Sequence, residues 1–226
     1  MQTALATAGL PPVFSTSLPG FTLPVPATEA KSGHRRTVAA ESEIFAEGDR
    51  AGTFYKVVSG VVRTYKLLSD GRRQIDAFHL PGDIFGLEAG AEHRFNAEAV
   101  TEAKLDVHRR EPRALAGDDG ALARDIVASM MRSLERAQDQ MMLLGRKTAR
   151  ERIATFLLTM ARRMACDGTA MELPMSRTDM ADHLGLTVES VSRAVTQLER
   201  DGLIALPPNR RMVVLRDVQA LANVAE

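Results

Sequence analysis

Two textures of hydrophobic patterning divide the chain. From Thr37 to about residue 112, short apolar runs at 53–58, 61–67, 74–80 and 104–108 alternate with polar positions. Turn signals separate them at Gly48-Asp49, Ser59-Gly60, Asp70-Gly71 and Pro81-Gly82-Asp83. This spacing predicts a small antiparallel barrel or roll, assigned to 37–119. The texture then turns helical, with apolar positions at Leu122, Ile126, Met130, Leu134, Ala137, Met141 and Leu144. Such a stripe predicts one long helix over 120–145. Its near-heptad spacing needs a partner, either the roll or the same helix of a second copy, and favours a self-paired dimer. A second amphipathic helix follows over 148–164, with Ile153, Phe156, Leu157, Met160 and Met164 on one side and a stop before Asp167-Gly168.

Two shorter helices come next. Ser176, with Asp179 three residues on, reads as a cap and first-turn acid, and Leu184-Gly185-Leu186 supplies a tight break before Thr187 caps a second helix. Together they predict a helix-turn-helix. At about 100° per residue from Glu189, Val188, Ser192 and Arg193 fall on the front of the second helix, and Val191, Ala194, Val195 and Leu198 on its back. An apolar back and a short, hydrogen-bonding front suit a helix packed on its domain with its N-terminal face in a DNA major groove. Arg193 can donate bidentately to guanine, Glu189 can accept from cytosine N4, and Ser192 can bond a base or phosphate; Val188 completes the base-reading set. Taken alone, Glu189 and Arg193 would be an exposed i,i+4 ion pair. Past this motif, 203–206 and 212–215 flank Pro207-Pro208-Asn209-Arg210-Arg211, a hairpin whose tip places two arginines for phosphate contact, with Arg177 and Ser190 as further phosphate candidates. The winged DNA-binding domain is assigned to 146–226.

Composition bounds these readings. With 226 residues, 45% hydrophobic and 26% charged, the chain can bury two modest cores. Its 29 Lys+Arg balance 29 Asp+Glu, so DNA affinity must come from a local patch. A single cysteine, Cys166, excludes an internal disulfide or a cysteine-held iron–sulfur cluster within one chain, and fits a reducing cytoplasm. No apolar run approaches the roughly 18 residues of a membrane span, and no basic residue precedes Lys31, so neither membrane insertion nor a secretory leader is expected. Residues 1–36, with five prolines and no sustained period, read as a mobile arm.

The motifs resemble the Crp/Fnr superfamily of bacterial transcription regulators over about 37–220. Gly48-Asp49, the run at 55–63 and the Pro81-Gly-Asp-Ile-Phe-Gly segment look like that family's cyclic-nucleotide-binding-type roll, and 185–193, Gly-Leu-Thr-Val-Glu-Ser-Val-Ser-Arg, is similar to the recognition helix of its Fnr and FixK branch. The resemblance implies an α+β fold with an N-terminal roll, a long dimerisation helix and a C-terminal winged helix-turn-helix. It further implies a cytoplasmic homodimer on double-stranded DNA, reading a TTGA-N6-TCAA-like palindrome and recruiting RNA polymerase to microaerobic, anaerobic or nitrogen-fixation genes. Two departures shape the ligand expectation. Where cyclic-AMP-binding members carry Gly-Glu-Leu and then Arg-Ser or Arg-Thr, this chain has Gly86-Leu87-Glu88 and Arg94-Phe95, and it lacks the cysteines that hold Fnr's cluster. The FixK-like branch, active without a cofactor, fits best, so no cofactor is expected.

Cys166, close to Arg162 and Arg163, is a candidate redox site, since oxidation beside DNA would add negative charge facing phosphate. Two other functions make different demands on the sequence. A haem- or other ligand-gated regulator of the same superfamily, responding to nitric oxide or oxygen, would need an axial ligand such as His79 or His108. A cupin-type metalloenzyme would need a close histidine and carboxylate cluster, yet His34, His79, His93, His108 and His183 form no His-x-His pair.

Overall fold

The computed structural model describes residues 34–110, 120–164, 170–208 and 211–226. Most of the proline-rich arm, Cys166 and Arg210 lie outside the described residues, as do 111–119, where the roll is expected to end.

Among the described residues eight strands build the roll: β1 (His34–Val38), β2 (Glu43–Phe45), β3 (Thr53–Ser59), β4 (Val62–Leu67), β5 (Arg73–His79), β6 (Ile84–Phe85), β7 (Asn96–Ala99) and β8 (Ala103–Arg109). They form two four-stranded antiparallel sheets, β1-β8-β3-β6 and β2-β7-β4-β5. Val38, Ile44, Tyr55, Val57, Val62, Phe85, Ala97 and Leu105 form one core cluster of the roll. Gly60 turns β3 into β4 with φ +83°, and a Cβ there would collide with the Glu102 carbonyl, so this turn demands glycine.

The first strand begins at His34, inside the span assigned to the arm, and runs alongside β8. Its sequence, HRRTV, is exposed at every position but the last. Lacking an apolar alternation, this edge strand carries no period-2 signal.

Helix α1 (Ala121–Arg146) realises the long stripe, and α2 (Ala149–Arg163) follows after a capping box between Thr148 and Glu151. The stripe of α1 divides between two surfaces. Ile126 is buried beside Phe54 and Ile84 of the roll, with Leu122 packed against them, whereas Met130, Leu134 and Met141 remain 58%, 54% and 69% exposed. Leu122 and Ile126, assigned to dimerisation from spacing alone, are therefore spent on the chain's own roll. The helix twists its stripe past the roll's edge, and the residues beyond it stay bare.

A short strand β9 (Ala170–Glu172) precedes α3 (Arg177–Leu184) and α4 (Val188–Arg200); β10 (Ile204–Ala205), β11 (Met212–Leu215) and α5 (Val218–Ala225) complete the chain. The wing is a three-stranded sheet, β10-β11-β9, where the patterning predicts only the β10–β11 hairpin. One apolar core joins the two halves: Val61, Ile75, Phe78 and Leu80 of the roll cluster with Leu143, Phe156, Leu157, Met180, Leu184, Val195 and Leu198. Among the described residues no helix is long and apolar enough to cross a membrane.

Candidate DNA-binding site

The helix-turn-helix is fixed locally before it is fixed globally. Asp179 N donates to Ser176 Oγ at 3.0 Å and Ser176 N to Asp179 Oδ2 at 3.0 Å, closing the capping box of α3. Gly185 ends that helix in the left-handed conformation, φ +62°, which a β-carbon would strain. Thr187 then caps α4, its hydroxyl accepting from Ser190 N at 3.2 Å.

The two faces of α4 fall where the helical arithmetic puts them. Val191, Ala194, Val195 and Leu198 are buried; Glu189, Ser192 and Arg193 are exposed. The Glu189 carboxyl is held below the usual carboxylate range by its own backbone N–H, then by the Thr187 hydroxyl and more distantly by Arg193. It therefore stays an ionised acceptor. Glu189 and Arg193 do not close into an ion pair, and no hydrogen bond joins the side chain of Ser192 or Arg193 to another described residue. Thr196 and Arg200 are exposed on the same face, one and two turns further on. Extending the arithmetic past Arg193 identifies both.

Other expected contacts divide. Val188 is partly buried and packs against the core, so its contact with a base is limited to whatever edge it leaves outward. Ser190 donates its backbone N–H to the cap, and its hydroxyl accepts from Thr187 Oγ1 at 3.1 Å. Arg177 is half-buried with Nη1 3.7 Å from Met180 Sδ, and burial lowers its pKa. This departs from the solvent-facing cation expected of a phosphate contact. Arg211 is exposed at the start of β11, where its carbonyl accepts from Leu173 N at 2.8 Å.

The roll contains a cavity of about 290 Å³ between its strands and α1, lined by Thr64, Asp76, His79, Glu88, Arg94 and Ser129 among others. Thr64 Oγ1 lies 3.0 Å from His79 Nε2 and 3.4 Å from Asp76 Oδ2. Desolvation pushes the Asp76 carboxyl up and the His79 imidazole down to about 4. Among the described residues Arg94 is the one arginine or lysine in that lining, and its Nε is 3.0 Å from Glu88 Oε2. A cyclic-nucleotide phosphate would meet two carboxylates and an arginine already paired, so these residues do not fit that ligand. Among the described residues no three His, Cys, Asp or Glu side chains are placed to share a metal ion.

An antiparallel roll, a long helix with a bare apolar face and a winged helix-turn-helix with a polar front define a Crp-type DNA-binding transcription regulator. Residues 151–224 match the Crp-like helix-turn-helix domain and residues 35–111 the cyclic nucleotide-binding domain. The chain is 52% identical over 200 residues to the nitrogen fixation regulation protein FixK of Azorhizobium caulinodans, covering 86% of this chain and 80% of that protein. It is 45% identical over 174 residues to FixK of Rhizobium meliloti, covering 77% and 79%. The structure of FixK2 from Bradyrhizobium japonicum superposes with a TM-score of 0.79 at 49% identity, covering 86% of this chain and 98% of that one. The chain belongs to the FixK family of Crp/Fnr regulators and is a DNA-binding transcription regulator of the FixK type. The two FixK relatives are nitrogen fixation regulation proteins.

Proposed function

We propose that the protein acts as a homodimer on a TTGA-N6-TCAA-like palindrome, without a small-molecule effector, and recruits RNA polymerase to microaerobic, anaerobic or nitrogen-fixation-related genes. The observation that carries this reading is the front of α4, where Glu189, Ser192 and Arg193 stand exposed on a capped, packed helix. Arg193 donates to guanine O6 and N7, Glu189 accepts from cytosine N4, and Ser192 bonds an adjacent base or phosphate. Arg210, Arg211 and Ser190 supply phosphate contacts that carry affinity but no sequence information. Dimerisation uses the bare part of α1: Met130, Leu134 and Met141, flanked by Val127, Met131 and Met142, form an exposed apolar face, with Ala137 and Leu144 continuing it. A palindrome read by a dimer requires its two recognition helices about one DNA turn apart, roughly 34–36 Å. The misfit of the roll cavity to a cyclic nucleotide supports the effector-free part of the reading.

The test is a fluorescence-anisotropy titration of ligand-free protein with a labelled TTGA-N6-TCAA duplex and a scrambled duplex at one stated salt concentration, with sedimentation of the free protein in parallel. Selective binding by a dimer is the expected result. Equal weak binding to both duplexes, restored by cyclic AMP or haem, would overturn the effector-free part. A monomer that remains one at micromolar concentration would overturn the dimer.

A further inference from the structure

We propose that ion pairs between the roll and the helix-turn-helix hold α4 in its DNA-reading orientation, with Arg73 and Arg63 as positioning residues that do in this chain what a bound effector would otherwise do. The proposal rests on the effector-free reading above.

The first helix of the motif is anchored to the roll at both ends. At its start, Asp179 divides one carboxylate between two tasks. Its Oδ2 holds the cap, accepting from Ser176 N at 3.0 Å and Ser176 Oγ at 2.8 Å, while its Oδ1 accepts from Arg63 Nη1 at 3.1 Å and Arg73 Nη2 at 2.6 Å. Asp179 is 3% exposed and Arg63 4%. Arg63 Nη2 also reaches Glu41 at 2.6 Å and Glu98 at 2.9 Å, and Arg73 Nε donates to Asp182 Oδ2 at 2.8 Å. At the other end of α3, the His183 carbonyl accepts from Gln140 of α1 at 2.8 Å and Gln74 of β5 at 3.4 Å, and the Leu184 carbonyl from Arg152 of α2 at 2.8 Å. These are the carbonyls a helix leaves without internal partners. Because one tight turn at Gly185 joins α3 to α4, fixing α3 fixes the reading helix.

A second network braces the same junction from behind. Asp83 Oδ2 accepts from Leu80 N at 2.9 Å and Arg163 Nη2 at 2.6 Å, and Arg136 of α1 stands 3.6 Å from Oδ1. Arg163, the last residue of α2, also donates to the Phe78 carbonyl at 2.9 Å.

The physical case for positioning over simple cohesion lies in how charges and apolar surfaces differ. Buried ion pairs recover little net stability after desolvation, yet they tolerate almost no misalignment, whereas an apolar interface can slide with small loss. The shared core supplies adhesion between the halves, and the ion pairs select one arrangement of it. All of these contacts lie within one chain, and none involves a residue lining the roll cavity. Apparent DNA affinity scales with the fraction of molecules that present the reading helix correctly, so loosening the anchor lowers affinity without touching a DNA-facing residue.

Arg73 is the residue to test, because it is partly exposed and remote from the front of α4. DNA affinity, thermal midpoint and amide hydrogen exchange over α3 are measured for the wild type, Arg73→Met, Arg73→Lys, Asp182→Asn and the double variant Arg73→Met/Asp182→Asn. Arg73→Met is expected to weaken palindrome binding about tenfold and speed exchange in α3 while the thermal midpoint moves by only about 3 °C. Arg73→Lys should recover part of the affinity, and the double variant should bind no more weakly than Arg73→Met, because both changes remove one contact. Wild-type binding with Arg73→Met within about twofold of it, or fully additive losses in the double variant, overturns the anchor and leaves the effector-free reading standing. A wild type that needs a ligand to bind at all overturns that reading, and the proposal with it.

Discussion

The roll cavity and the front of α4 are both lined with hydrogen-bonding side chains, but they spend them in opposite directions. In the cavity, Thr64 engages His79 Nε2 and Asp76, and Arg94 engages Glu88, although His79 Nδ1 is buried without a partner among the described residues. On α4, neither the Ser192 nor the Arg193 side chain is hydrogen-bonded to another described residue, and the Glu189 carboxylate accepts only from its own helix terminus and cap. Polar groups that are already satisfied resist exchange for a ligand, since each contact made is offset by one broken. Groups that face solvent lose only water. A fold that inherits two polar concentrations has kept one of them available, and it is the one matched to base edges.

The contrast can be broken or sharpened by experiment. The largest expected effect lies in the cavity and concerns stability. His79 is buried as a neutral ring with its pKa lowered to about 4, so the unfolded chain takes up the proton first. Its contribution is fully present above pH about 6.5 and is lost as pH falls toward 4, by roughly 3 kcal/mol. Urea titrations across that window should show the loss, and His79→Gln should reduce it, leaving the part carried by His183, whose imidazole pKa burial likewise lowers to about 4. An equal slope in the variant would remove His79 as the cause.

Next in size is Arg193→Ala, expected to cost about 1–3 kcal/mol on the matched palindrome and much less on a duplex altered at its base pair, with unchanged thermal stability. Competition titrations on the two duplexes measure the difference. Thr187→Ala removes the cap of α4 and should lower stability by about 1 kcal/mol, read as a shift in denaturant midpoint. The smallest effect belongs to Arg94→Ala. Its side chain is 75% exposed, so DNA affinity should stay within about twofold of wild type. A larger change would show that the cavity is coupled to the reading helix after all.

The legible parts of the molecule were those governed by short-range rules. Strands β3, β4, β5 and β8 follow from alternation between glycine turns, and the caps at Ser176 and Thr187 from side chains that bond their own backbone within three residues. β1, β7, β9 and α5 left no comparable pattern, being short, polar or at an edge. The front of α4 was readable because a helix 13 residues long shows its period; the half-burial of Arg177, one helix earlier, was not, because burial depends on tertiary packing. The division of the α1 stripe between roll and open face had the same cause.

The amino-acid sequence by itself therefore determined the elements, their order, the helix caps and the chemistry of the reading face, since each is decided by residues a few positions apart. Only the tertiary structure decided which charges meet. Arg63 finds Asp179 across 116 positions and Arg163 finds Asp83 across 80. With 29 cations and 29 anions in the chain, no local rule selects such partners. The selection comes from the packing of apolar faces, which brings the charges together, and from the cost of leaving any of them buried without a partner.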